Sequence, residues 1–474
     1  MMDKLIKNGT IVNEDDSVAA DLLIHDEKVA AIGVNLEIPV SCEIIDATEK
    51  LILPGGVDVH VHLDLPMFGT VSADDHYTGT KAAAFGGTTT VIDFISQDST
   101  NLAENFARLK EKAESKAAID FGFHANITTL TPEVEEQISD LVNLGVTSVK
   151  VFTAYNNRLR LQDGEIFKVM RIARNAGILT MLHAENGDLI DILVNEAVNQ
   201  GRLNPEWHAK TRPAWGGIEA VMRGSALAAV ADAPLYVVHM NAGGEVDQLE
   251  YARSKGLRVM GETCPQYLLF TDDRLSGADG AKWVCSPPLR KDADRNRLWA
   301  GLSEGIIKTI ATDHCPFFFN GSQEIEYEGK KIAIPGKELG KGDFTKIPNG
   351  LPGVGDRMPV LFSEMVSSGR YSANRFVEMT CANPAKIFGM YPQKGTIKVG
   401  SDADLVLWDP AMTIEYGIRY SQQRTDYNLY EGFHIKGFPV TVLSRGEIVV
   451  DRGVWKGKPG QGKYIYRSQF SNFL

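Results

Sequence analysis

His60 and His62 end an apolar run, Asp58-Val59-His60-Val61-His62. Side chains alternate along a strand, so both imidazoles face one side. Two imidazoles on one side can hold one divalent cation. A lone pair of this kind is more often two core histidines, but two others change the balance. His183 ends Met181-Leu182-His183, and His239 ends Val237-Val238-His239. Asp313 closes Ala311-Thr312-Asp313. Its carboxylate could ligate through one oxygen and move a proton with the other. Lys150 lies in Val149-Lys150-Val151-Phe152, where an unpaired ammonium is costly. An ammonium cannot ligate a metal, whereas a lysine carbamate, formed with carbon dioxide, offers two oxygens. The pattern alone does not choose between a carbamate and a lysine reaching solvent. His25, His76, His124, His208, His314 and His434 read as ordinary histidines.

These residues need elements to bring them together. Apolar, β-like runs cover 57–62, 89–94, 119–127, 148–152, 179–183, 235–239, 258–263 and 309–313. Helix-like stretches alternate with them, at 102–116, 132–144, 166–176, 218–231 and 246–254. Such alternation implies a parallel sheet with crossover helices. Eight runs fit a closed (β/α)8 TIM-like barrel, whose active site lies at the C-terminal ends of its strands. An open doubly wound sheet would favour a glycine-rich phosphate loop after the first strand, and none is present. Both chain ends are β-rich and broken by Gly. We expect residues 1–53 and 391–450 to form one small β-sandwich domain around a barrel of 54–390. Residues 451–474 would be a C-terminal tail, a candidate for a subunit interface.

Composition narrows the function. The chain has 474 residues, 43% apolar and 23% charged, with a net charge of −12. It has no Lys/Arg-rich run, so no nucleic-acid partner is expected. No segment is long and apolar enough for a membrane span, and the N-terminus lacks a signal-peptide core. Five scattered cysteines without a CxxC fit a reduced, cytoplasmic protein.

Nine stretches together resemble the D-hydantoinase and dihydropyrimidinase family of cyclic amidases, within the amidohydrolase superfamily. They are PGGVDVHVHLD (54–64), GTTTVIDF (87–94), SVKVFTAY (148–155), HAEN (183–186), VVHM (237–240), GETCPQYL (261–268), CSPPLR (285–290), ATDHCPF (311–317) and IPNGLPG (347–353). The resemblance implies two divalent metal ions, usually Zn2+, bridged by N6-carboxylated Lys150. His60, His62 and Asp313 would hold the more buried ion, and His183 and His239 the outer one. Asp313 would be the proton carrier and Tyr155 an oxyanion donor. Ser286 and Asn349 would bind the ring amide through main-chain groups. Leu65, Phe152 and Leu159 would line the substituent pocket. The related dihydroorotases carry an Arg for a substrate carboxylate where this chain has Asp64, so a neutral cyclic amide or imide is expected. The product would be an N-carbamoyl amino acid. A homotetramer is expected by analogy.

Two alternatives share the resemblance. One is an allantoinase-like ureide hydrolase. The other is a non-catalytic scaffold, disfavoured because all six ligand positions are filled. Residues 326–335 (EYEGKKIAIP) lengthen the segment between Asp313 and Asn349. They are expected to form an extra hairpin at the rim.

Overall fold

The structure is a computed structural model that describes residues 2–471 except 38 and 68. Eight strands form the central sheet: β1 (Gly56–Asp58), β2 (Thr88–Ile95), β3 (Asp120–Asn126), β4 (Ser148–Phe152), β5 (Leu179–His183), β6 (Leu235–Val237), β7 (Val259–Thr263) and β8 (Thr309–Ile310). Each pairs in parallel with the next, in chain order. The seam between β1 and β8 has a single backbone bridge, Val61 to His314. Two buried side chains reinforce it. Asp58 accepts from the Thr312 amide and hydroxyl at 3.1 and 2.7 Å. Arg357 donates to the Val57 and Ile310 carbonyls, both at 3.0 Å. The result is a nearly closed eight-stranded barrel.

The strand interior follows from alternation. Val57, Ile92, Leu179, Met181, Tyr236 and Met260 fill the barrel, with Phe388 and Ile465 among the residues completing that core. In β4 the same alternation sends Val149 and Val151 outward into the helix-facing core and leaves Lys150 for the interior. Crossover helices cover the outside. Leu102–Glu114 is typical: Asn101 caps it by accepting from the Glu104 amide, and Leu102, Phe106 and Ala113 are its buried face. The stretch 132–144 is not one helix, because it tightens to 3-10 geometry over Ile138–Leu144.

Several ligand-bearing strands are shorter than their apolar runs. The β1 ladder stops at Asp58, whose carboxylate accepts from the His60 amide at 3.3 Å. β6 stops at Val237 and β8 at Ile310, so His239 and Asp313 lie just past the strand ends. There both take left-handed backbone, φ 40° and 53°. Non-glycine residues adopt this region rarely and at a cost.

The small β domain takes strands from both chain ends into one nine-stranded sheet. Leu51–Pro54 joins the halves, pairing parallel with Lys4–Val12 and antiparallel with Leu405–Glu415. Ile6, Ile11, Leu22, Ile52, Leu405 and Leu443 belong to its core. Buried Lys394 ties this domain to the barrel floor, reaching Asp120 of β3 at 2.5 Å, Asp402 at 2.9 Å and Asp404 at 2.6 Å. The described part of the tail packs on its own barrel. Ile465 donates to the Phe121 carbonyl, Ser468 to that of Gly389 and Phe470 to that of Gly177. Residues 472–474 of the tail lie outside the described residues.

The expected rim hairpin is present but begins before residue 326, with Gln323–Tyr327 paired with Lys330–Ile334. Its two-residue turn, Glu328-Gly329, has φ 49° and 73°. Positive φ at both positions suits the right-handed strand twist. Ile325 and Ile334 pack with Val71, Ala73 and Phe318 at the barrel rim.

Candidate active site

The mouth of the barrel brings together all six expected ligands. His60 Nε2 lies 2.9 Å from Lys150 Nζ and 3.2 Å from Asp313 Oδ1. His62 Nε2 lies 3.1 Å from the same Asp313 oxygen. His183 Nδ1 and His239 Nε2 are 2.9 Å apart. The His60 and His239 rings are 5.4 Å apart, which joins the two groups into one constellation. Ligand atoms of His60, His62 and Asp313 all lie within 4.8 Å of one another.

The electrostatics suit cations. Burial, with Lys150 adding to it, holds His60 well below the usual imidazole range. Burial and the neighbouring His183 do the same for His239. Neutral imidazoles present lone pairs, the form that ligates metals. His239 Nδ1 is buried without a hydrogen-bond partner. Burial would raise Asp313, but His60, His62 and Lys150 outweigh it and hold the carboxyl at about 2. Burial lowers Lys150 to about 8, against the pull of Asp313 and Glu262. A lysine so poised keeps a reactive free-amine fraction near neutral pH. Convergent neutral nitrogens, an ionised carboxylate and a softened lysine therefore fit divalent cations.

Glu262, on β7, supports the centre from behind. It is fully buried, 2.5 Å from His60 Nδ1, and accepts from Tyr236 Oη at 2.9 Å and the His239 amide at 3.2 Å. Burial pushes its carboxyl up to about 8. A cation at His60 Nε2 requires the shared proton on Nδ1, and the carboxylate stabilises that tautomer. Glu185 similarly sits 3.1 Å from His183 Nε2. Sequence reading passed over both. The available signal was an acid inside the GETCPQYL and HAEN stretches, since a buried acid needs a partner.

A cavity of about 270 Å³ opens above the ligands. Tyr155, Ser286, Asn349, Leu65, Phe152 and Leu159 all line it. Pro66, Met67, Gln97 and Cys315 line it too and were not foreseen. Tyr155 has φ 64°, another left-handed turn just past a strand end. Its hydroxyl is kept protonated, since burial and then Glu185 raise it. Asn349 Nδ2 donates to Ser286 Oγ at 3.0 Å. Asp64 is not among the lining residues; it is buried, 3.2 Å from His76. A cation does reach the cavity wall, as Arg158 from the loop after β4. Of the histidines set aside, His124, His208 and His314 are buried with backbone partners, as ordinary core histidines should be.

A nearly closed (β/α)8 barrel with imidazoles, a lysine and an aspartate at its C-terminal mouth defines a metal-dependent hydrolase architecture. Comparison with known proteins narrows the class. The model of the Amidohydrolase family matches residues 51–449. A D-hydantoinase of Geobacillus stearothermophilus is 45% identical, over 100% of this chain and 98% of that one. The crystal structure of dihydropyrimidinase from Brevibacillus agri NCHU1002 matches with TM-score 0.94 and 46% identity, covering 99% and 100% of the two chains. An L-hydantoinase (dihydropyrimidinase) from Arthrobacter aurescens matches with TM-score 0.86 and 30% identity, covering 98% and 99%. The chain belongs to the amidohydrolase family, in the branch of the D-hydantoinases and dihydropyrimidinases.

Proposed function

We propose that this protein opens the cyclic amide bond of 5-substituted hydantoins, 5,6-dihydropyrimidines or both, giving N-carbamoyl amino acids. The observation that carries the reading is the six-ligand constellation under a cavity lined by Tyr155, Ser286 and Asn349. Two divalent cations, zinc by family analogy, would supply a hydroxide near neutral pH. His60, His62 and Asp313 would hold one, His183 and His239 the other, and carboxylated Lys150 both. Lys150 would reach that state by adding its free amine to carbon dioxide and releasing a proton.

The protein's own groups then divide the work. Main-chain groups of Ser286 and Asn349 orient the ring amide. Leu65, Phe152 and Leu159 pack the ring substituent. The Tyr155 hydroxyl donates its O–H hydrogen to the developing oxyanion; losing one such donor typically costs about 10²–10³ in rate. Asp313 takes the proton from the attacking oxygen and passes it to the leaving ring nitrogen. His60 and His62 beside it keep this carboxylate ionised at rest.

We propose further that the protein is cytoplasmic and works as a homo-oligomer, a tetramer by family analogy. The five cysteines are all free thiols, which supports a reducing compartment. Exposed Leu189, Ile192, Trp215 and Met222 on two barrel helices support self-association. No helix among the described residues is long and apolar enough to cross a membrane.

The test is a substrate panel of dihydrouracil, hydantoin, phenylhydantoin and allantoin, with zinc-loaded wild type and Asp313→Ala. Wild type should open one or more of the first three rings, and the variant none. Turnover of allantoin alone would replace this reading with a ureide hydrolase. Full activity in Asp313→Ala would remove the proposed proton carrier.

A further inference from the structure

Lys337 is an unexpected charge. It is 1% exposed and sits just past the rim hairpin, at the start of a short turn, Lys337–Gly340. Among the described residues no carboxylate pairs with it. Burial lowers it to about 7, and the neighbours that act on it are the thiols of Cys285 and Cys315. Taking an unpaired lysine out of water is costly, whereas an apolar side chain of similar length would not be. Stability alone does not account for the residue.

What its two hydrogen bonds join offers an account. Nζ donates to the Val284 carbonyl at 2.9 Å and the Pro348 carbonyl at 3.1 Å. Val284 lies two residues before Ser286, and Pro348 directly precedes Asn349. These two segments form one wall of the cavity. Among the described residues two hydrogen bonds link them directly: Gly350 N–H to the Val284 carbonyl at 3.0 Å, and Asn349 Nδ2 to Ser286 Oγ at 3.0 Å. Gly350 also lies against the Cys315 carbonyl so closely that a Cβ there would come within 2.2 Å of it. The wall is therefore tight, with Lys337 bonded to both strips of backbone from behind.

We propose that Lys337 is a positioning residue for the ring-binding wall: its side chain ties the Val284 and Pro348 carbonyls together and so fixes the main chain of Ser286 and Asn349 against the substrate. This rests on the ring-binding role proposed above for those two residues. Lys337 does not touch the substrate or the ligand constellation. Its loss should therefore weaken ring binding and leave the metal centre alone.

The test uses full-length, zinc-loaded Lys337→Met and Lys337→Gln, the latter able to keep one of the two bonds. For the best substrate of the panel, Lys337→Met should raise KM about tenfold while kcat changes far less, the signature of lost binding rather than lost chemistry. Lys337→Gln should fall between Met and wild type. Zinc content should equal wild type in both. Hydrogen exchange should accelerate in peptides covering 284–290 and 347–352 and not elsewhere. Unchanged KM and unchanged exchange in Lys337→Met would overturn the proposal, as would a loss of activity that tracks lost zinc. If the Met variant does not fold, the Gln variant carries both readouts. Failure of wild type on the whole panel would instead overturn the ring-binding reading, and the exchange measurement separates the two cases.

Discussion

Replacing Glu262 separates its charge from its shape. In Glu262→Gln the amide oxygen can still accept from His60 Nδ1 and the His239 amide, and the amide nitrogen can face Tyr236 Oη. The geometry survives, but the side chain can no longer ionise, which a cation at His60 Nε2 would make it do despite the burial that raises its carboxyl. A charge-assisted hydrogen bond is roughly twice as strong as a neutral one. Losing the carboxylate behind a ligating imidazole should weaken cation affinity about tenfold, on the order of 1.4 kcal/mol. Glu262→Leu removes the acceptor altogether. Tyr236 keeps Thr309 as a partner, but His60 Nδ1 and the His239 amide are left buried and unpaired. At about 1–3 kcal/mol for each, the Leu variant should lose about 2–6 kcal/mol of stability. Chelator competition against zinc measures the first effect, and urea unfolding of metal-stripped protein the second. The reasoning fails if the Gln variant binds zinc as tightly as wild type and the Leu variant unfolds at the wild-type midpoint.

Two other replacements probe the scaffold. Lys394→Met leaves buried Asp404 without its ion-pair partner, while Asp120 keeps Arg445 and Asp402 keeps Lys28, and should cost about 3–5 kcal/mol in urea unfolding at pH 7; a loss below about 1 kcal/mol would show that the remaining partners or water compensate Asp404. His76 is buried, and the hydrogen bonds of Asp64 and Asp93 outweigh burial to raise it to about 9. Between pH 6.5 and 9 the folded state thus binds more protons than the unfolded one. The stability His76 contributes is complete below pH 6.5 and fades as pH rises through 9. His76→Gln should flatten the fall in unfolding midpoint over that window, and an unaltered slope would assign it to other groups.

The sequence was most legible where one residue type recurred at one kind of place. Four histidines and an aspartate closing apolar runs pointed to a barrel mouth, and the mouth is where they meet. The strand ends were less legible. Apolar continuity at 57–62, 235–239 and 309–313 reads as strand, but side-chain competition from Asp58 ends one ladder early and left-handed turns follow the other two. Periodicity carries no signal for such turns. Glu262 and Lys337 escaped for a related reason: each is a charge defined by partners distant in sequence. Asp64 stands where the dihydroorotases carry Arg, and nothing in the sequence showed that its side chain turns to His76, Lys112 and Lys116. Lys150 was placed inward by alternation, yet only the family resemblance suggested its carboxylation.

The strand Leu51–Pro54 pairs on one side with Lys4–Val12 and on the other with Leu405–Trp408, so one edge of a strand made early waits for a partner made near the end. Until residue 408 has emerged, the N-terminal strands have an open edge carrying unpaired amides and the apolar face of Ile6, Ile11 and Ile52. Contacts this distant in sequence slow folding, and open edges of this kind recruit other chains. The barrel strands pair in chain order and can assemble as they are made, with Ile465 of the tail completing their core afterwards. The small sheet cannot. Expression of this protein should therefore be limited by how long its N-terminal strands remain uncovered, and truncation near residue 400, which also removes the barrel-core residue Ile465, should yield aggregate even though all eight barrel strands are present.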